Sequence, residues 1–349
     1  MAKTRFLTNN PLTRKRWARD LYRYILPSME FNELIGTGSD AIVELRNDLG
    51  KGEGDQITFG IRLPLQGEGI VGDKTVEGNE EKLRFRNYKI TIEELNHAVD
   101  TGGKMDEQRI PYNLMQEGKI ALQEWWITML SNLMMNTLSG NSKYRIAGEV
   151  FANPIREPDE DHWIRMNDKP EVDMNSSDII DLSFLDKMKQ RAYMPTNNAF
   201  KLRPLVVNGK EYFRVYLHSY VFDNLRQNTN IGQWGDLLRN ANKLQLENVE
   251  IEYNGMLITR SERLPEVQPG VYRSVLLGKQ AGVWAWGGAG DSKSSTMAFV
   301  PYTKDAERFV MIRGGGIFGM DKPNFITPGA STARDYGVIT GSCWGEPIN

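Results

Sequence analysis

The stretch GDQITFGIRLPL, residues 54–65, decides the reading of this chain, together with LRFRNYKITI at 83–92, which answers it. Ile57, Phe59, Ile61, Leu63 and Leu65 fall on every second position, the period of a strand with one buried face. Leu83 and Phe85, then Tyr88, Ile90 and Ile92, bring the chain back; the change from odd to even positions predicts a bulge near Arg86 and Asn87. Between the runs lies a connection of glycine and charge, with Gly67, Gly69, Gly72, Asp73, Lys74, Glu77, Gly78, Glu80 and Glu81, and with Ile70 and Val71 as its one adjacent apolar pair. Hairpin loops ordinarily take about 2–5 residues. A tip this long has too little apolar surface to pack on its own domain, so it is expected to reach for another one.

A long helix follows. From Glu107 to about Leu138 the apolar positions return to one face, carried by Leu114, Leu122, Trp125, Trp126, Met129 and Leu133, with Pro111 in the first turn and Gly140 as a stop. Such an element would span on the order of 45 Å, and a stripe of this kind reads as a core face. Upstream, Trp17, Leu21, Tyr24 and Ile25 recur at helical spacing before Pro27, and a second helix is expected over Asp40–Leu49. Downstream the signals are shorter: helices over 178–194, 220–226 and 233–243, strands over 211–217, 309–312, 317–318 and 336–339, and a hairpin turning at Asn254-Gly255. The class is α+β.

At 349 residues, 40% apolar and 25% charged, the chain can bury a real core and is expected to form about two domains. Its 43 basic and 45 acidic residues nearly cancel, which argues against a dedicated nucleic-acid binder. The distribution is uneven: Arg14, Lys15, Arg16, Arg19 and Arg23 make the start basic, and 149–186 is acidic. A single cysteine, Cys343, excludes an intramolecular disulfide. No signal peptide opens the chain and no apolar run is long enough to span a membrane, so a reducing cytoplasm is the expected compartment.

Motifs of enzymes appear and fail. Gly67-Glu-Gly69-Ile-Val-Gly72 matches GxGxxG, but a charged loop and a strand follow where a dinucleotide site needs a helix. Asp73 interrupts what would otherwise be a phosphate loop at Lys74-Thr75. Gly36-Thr-Gly38-Ser-Asp-Ala41 reads as a loop with a helix cap at Ser39 or Asp40. Gly341-Ser-Cys343-Trp-Gly345 looks like a nucleophile elbow, but no histidine follows it, and Cys343 is expected to be a small buried residue. His97, His162 and His218 stand apart with no second cysteine to complete a zinc set. Neither a catalytic constellation, a cofactor site nor a metal site is expected.

The order of parts resembles the major capsid proteins of tailed bacteriophages, in their podophage-type branch. Gly54-Asp-Gln-Ile-Thr-Phe59 opening the hairpin, Val76-Glu-Gly-Asn-Glu-Glu81 at its tip, Glu107-Gln-Arg-Ile-Pro111 opening the helix, Trp125-Trp126 within it and Leu276-Leu-Gly-Lys-Gln-Ala281 carry the likeness. The resemblance implies a capsid shell fold: an N-terminal arm with short helices over 1–50, an E-loop hairpin over 51–95, a P-domain over 96–205 with its spine helix at about 107–138, an A-domain over 206–304 and closing P-domain strands over 305–349. It further implies a structural, non-enzymatic subunit that self-assembles into pentamers and hexamers of an icosahedral shell around double-stranded DNA, made in the host cytoplasm and kept in the virion capsid. The nine hairpin-tip residues named above would touch a neighbouring subunit, and Arg14, Lys15, Arg16, Arg19 and Arg23 would face the interior and the DNA. Scaffold, portal and decoration proteins are the further partners implied, with no membrane. An encapsulin-like compartment shares the implied fold, and a cytoplasmic carbohydrate-binding enzyme is the reading from another class.

Overall fold

The computed structural model describes residues 31–49, 54–62, 65, 69–72, 75–78, 80–109, 113–197, 199–207, 209–228, 249–288, 297–306, 308–327 and 331–347. The basic arm residues Arg14, Lys15, Arg16, Arg19 and Arg23, the helix expected around Trp17, that expected over 233–243, and Gly67, Asp73 and Lys74 of the hairpin tip lie outside the described residues.

Strands β1 (Ile35–Gly36) and β2 (Val43–Leu49) come first, then the hairpin strands β3 (Gln56–Arg62) and β4 (Phe85–Thr91) and the long β5 (Glu93–Gly103). Helices α1 (Lys104–Arg109) and α2 (Leu114–Ser139) follow, then β6 (Trp163–Arg165), α3 (Leu182–Tyr193), β7 (Leu205–Val207), β8 (Lys210–His218) and α4 (Ser219–Gln227). Among the described residues the further elements are all strands: β9 (Ile251–Tyr253), β10 (Met256–Ser261), β11 (Glu266–Gln268), β12 (Val271–Leu277), β13 (Gly282–Gly287), β14 (Met297–Lys304), β15 (Phe309–Asp321), β16 (Asn324–Ile326), β17 (Ala333–Asp335) and β18 (Val338–Trp344).

Two sheets organise these elements. One runs β1-β2-β13-β15-β14, with β5 also pairing β15; the other runs β6-β18-β12-β8-β10-β9, with β11 on β12 and β7 on β8. Helix α2 packs across β5 and β15 and reaches β12 with its far end. Leu122, Trp126, Leu130, Leu133 and Met134 thereby meet Trp284, Trp286, Phe299, Ile312 and Phe318 in the largest core. Helices α3 and α4 bury Phe184, Leu185, Val221 and Phe222 against Phe213, Val215, Ile258, Leu276 and Ile339 of the second sheet. Cys343 sits in that second core with no exposure, and burial pushes its thiol up to about 12.

The long helix is shorter than its periodicity suggests. It begins at Leu114, where the Asn113 side chain caps it by accepting from the Gln116 amide at 3.1 Å, and the preceding turns form the separate α1. Its 26 residues span about 39 Å. Gly140 ends it in the left-handed region at φ 70°, where a β-carbon would also lie 2.8 Å from the Arg156 carbonyl.

Four expectations are corrected. Residues 43–49 are strand β2, not helix: Val43 and Leu45 turn to the α2 core while the strand pairs in parallel with β13, so sheet pairing overrides a local helical pattern. With no helix there, Ser39 and Asp40 cap nothing; Asp40 instead meets Lys279 at 2.7 Å. The hairpin carries no bulge at Arg86–Asn87, since β3 and β4 pair without interruption from Gln56↔Thr91 to Arg62↔Phe85. The change of parity marks where the buried face stops. The strands expected at 309–312 and 317–318 are one strand, β15, running through Gly314, Gly315 and Gly316. A β-carbon on Gly314 would meet Phe299 at 2.6 Å and the Trp126 indole nitrogen at 2.9 Å, so the glycine makes room for aromatic packing instead of breaking the strand.

Candidate assembly surface

The hairpin is anchored at its root. Ile57, Tyr88 and Ile90 are buried against Val283, Ala285 and Phe325, with the Tyr88 and Phe325 rings edge to face at 5.9 Å and the Arg46 guanidinium 5.4 Å over the Phe59 ring. The Ile92 amide donates to the Asp55 carbonyl at 2.9 Å, closing the base. Asn153 clasps Thr91 from the side, accepting from its amide at 2.9 Å and donating to its carbonyl at 2.8 Å. Burial, with the charge of Asp321 adding to it, raises the Tyr88 hydroxyl far above the ordinary tyrosine range, so it stays neutral.

Beyond the root the ribbon is bare. Leu65 is 61% exposed, Val71 81%, Val76 63%, Leu83 56% and Phe85 57%. Of the tip residues read from the sequence, Gly69, Gly72, Glu77, Gly78 and Glu80 are exposed and Glu81 is half-buried. Gly69, Gly72 and Gly78 take positive φ of 77°, 74° and 88°, a backbone that only glycine adopts without strain. The Gly78 amide donates to Glu80 Oε2 at 2.9 Å, a local turn that leaves the apolar neighbours uncovered. Single exposed apolar residues are ordinary, but five along one ribbon make it a candidate for burial against another surface.

The helix residues occupy the opposite situation. Leu122, Trp126, Met129 and Leu133 are buried and Leu114 and Trp125 half-buried. Trp126 meets Trp125 and Phe318 edge to face at 5.1 and 6.1 Å, and His97 stacks on Trp125 at 4.2 Å. Sequence reasoning missed the strand that joins these regions. Along β13, Trp284 and Trp286 enter the α2 core while Val283 and Ala285 face the hairpin root, an alternation present in Gly-Val-Trp-Ala-Trp-Gly that could have been read. It also missed the β16–β17 ribbon, whose three-residue strands are too short to announce themselves. Among the described residues no group of His, Cys, Asp and Glu is placed to hold a metal ion, and no helix is long and apolar enough to cross a membrane.

Residues 5–256 match the model of the family described as phage capsid protein. The chain belongs to that family. The major capsid protein of Pseudomonas phage KPP25 is 24% identical over 240 residues, an alignment covering 63% of this chain and 62% of that one, just under two thirds of its length. Among solved structures, the capsid of Ralstonia phage GP4 is similar over all of both chains with a TM-score of 0.78 and 21% identity. The capsid asymmetric unit of cyanophage Pam1 covers 90% of this chain and 91% of its own with a TM-score of 0.67 and 16% identity. At these identities the structural likeness establishes the capsid shell fold.

Proposed function

We propose that this phage capsid family protein is the structural subunit of an icosahedral virion shell, assembling with copies of itself, and that it is not an enzyme. The observation that carries this is the half-covered hairpin: a root fixed to its own subunit and a distal ribbon whose Leu65, Val71, Val76, Leu83 and Phe85 find no cover there. A closed shell is made of many modest, repeated contacts, and a ribbon laid on a neighbour provides one. Burying one such side chain stabilises the contact by about 1.5–3 kcal/mol. The tip from Gly67 to Glu81 is the inter-subunit contact in this reading, and the basic residues Arg14, Lys15, Arg16, Arg19 and Arg23 face double-stranded DNA through non-specific phosphate contacts. Residues 51–95 act as the hairpin arm, 96–205 and 305–349 as the P-domain, and 206–304 as the A-domain. Subunits gather in the host cytoplasm before closure, with scaffold, portal and decoration proteins as partners.

The test is sedimentation and negative-stain imaging of the purified chain beside a variant lacking residues 67–79. Pentamers, hexamers or shells from the first and a folded, unassembled subunit from the second are expected; full assembly by the deleted chain would overturn the role given to the ribbon, and a stable monomer from the intact chain would overturn the shell.

A further inference from the structure

We propose that His162 is a buried, positively charged clasp that ties the β16–β17 ribbon to the hairpin root and releases it as the solution turns alkaline. His162 is fully buried. Its Nδ1 lies 2.8 Å from Asp159 Oδ2 and its Nε2 lies 3.2 Å from the Phe200 carbonyl oxygen. Both partners are acceptors, so both ring nitrogens must carry hydrogen, and only the imidazolium satisfies that requirement. A neutral ring would turn one lone pair toward an oxygen inside the protein, where an unmade hydrogen bond is costly.

The charge is connected onward. Asp159 Oδ2 also accepts the Asp335 amide of β17 at 2.6 Å. The Asp335 carboxylate takes Lys322 Nζ at 2.5 Å, and both of these side chains are buried. The Lys322 amide donates to Asp321 Oδ1 at 2.7 Å, Arg156 meets that oxygen at 3.1 Å, and Arg156 reaches the Tyr88 hydroxyl of β4 at 3.4 Å. An unbroken polar chain therefore runs from His162 to the hairpin. Around it, Arg334 of β17 pairs with Asp161 at 2.8 Å and lies 3.8 Å from Asp159 Oδ1, Arg191 of α3 donates to the Asp161 carbonyl at 2.9 Å, and the Thr340 amide of β18 donates to the His162 carbonyl at 2.9 Å.

Burial by itself would lower the affinity of His162 for its proton. The hydrogen bond and charge of Asp159, with Asp335 and the Phe200 carbonyl behind them, outweigh burial and raise it above the ordinary histidine value. Asp159, opposed by burial but held by His162 and by the Asp335 and Asp161 amides, is lowered in turn. For a histidine raised in the folded state, the stabilisation is complete below the ordinary histidine pKa of about 6.5 and is lost as pH climbs through the raised value. The window in which the clasp opens is therefore the neutral to alkaline side.

Because β16 supports β4 through Phe325 on Tyr88, release loosens the hairpin root. The relevance to shell geometry rests on the proposed function; the switch itself is a property of one subunit. Two measurements on the purified, unassembled full chain test it. Proton NMR, with His162→Gln identifying the resonance, is expected to show His162 titrating above the ordinary histidine range. Hydrogen exchange, corrected for intrinsic rates, is expected to show protection of 85–91, 324–327 and 331–335 falling by up to about tenfold per pH unit between the ordinary histidine pKa of about 6.5 and that midpoint, then levelling off above it, while α4 keeps its protection. In His162→Gln this step disappears.

An ordinary or depressed midpoint overturns the proposal, as does a variant that retains the step. If the variant does not fold, the wild-type measurements decide alone: a fall in protection that levels off at the NMR midpoint upholds the clasp, and one that levels off elsewhere refutes it. A chain that never forms shells leaves both readouts intact, so failure of the shell reading is distinguishable from failure of the clasp.

Discussion

The two ends of one hairpin carry apolar residues on opposite faces of the ribbon and meet opposite fates. At the root, Ile57 and Ile90 pair across the strands and are covered by Val283, Ala285 and Phe325. Toward the tip, Leu83 and Phe85 continue the apolar character and stay more than half exposed. A period-two pattern specifies that one face wants burial; it does not say who supplies the cover. Here the subunit supplies it for half the ribbon only, and in the proposed shell a second copy covers the remainder.

Substitutions can break or sharpen that contrast, and the largest effect belongs to neither end. Trp126→Ala in the α2 core should cost about 3–5 kcal/mol of subunit stability, read as a shift in the denaturant midpoint with unchanged slope; a loss under about 1 kcal/mol would mean the helix is not what holds the platform for the hairpin. At the root, Ile90→Ala should cost about 2–4 kcal/mol in the same assay. At the distal end, Phe85→Ser should leave subunit stability within about 0.5 kcal/mol while weakening assembly by about 1.5–3 kcal/mol, seen as a higher protein concentration needed for particles. If Ile90→Ala and Phe85→Ser behave alike in both assays, root and tip do not differ. The smallest effect is Asn113→Ala, about 1 kcal/mol from the lost helix cap, measured by thermal unfolding; it calibrates how far a local change at the platform spreads to the ribbon.

Much of this fold is legible in the sequence. The hairpin strands, α2 from Leu114 onward, α3, α4, β8 and the turn at Asn254-Gly255 all carry patterns that complete themselves within one element; Asn254 and Gly255 take φ of 44° and 66°, the positive pair a two-residue hairpin turn demands. Residues 43–49 were not legible, because their strand identity comes from pairing with β13 and β1, segments distant in sequence or too short to show a period. The parity change at Phe85 was visible but misread, since an uncovered face and a bulge leave the same trace. The charged chain from His162 to Tyr88 joins 88, 156, 159, 162, 321, 322 and 335, and no local spacing marks residues so scattered.

The amino-acid sequence by itself determined the alternation of the hairpin strands, the stop of the long helix at Gly140, and that a long glycine-tipped ribbon precedes a long helix. These follow from backbone geometry, caps and turn residues acting over a few positions. Only the tertiary structure decided which part of the ribbon is covered, which segments become strands through distant partners, and which charges meet in the interior. Those outcomes depend on the free energy of contacts between remote segments, and a sequence read along its length carries no measure of that.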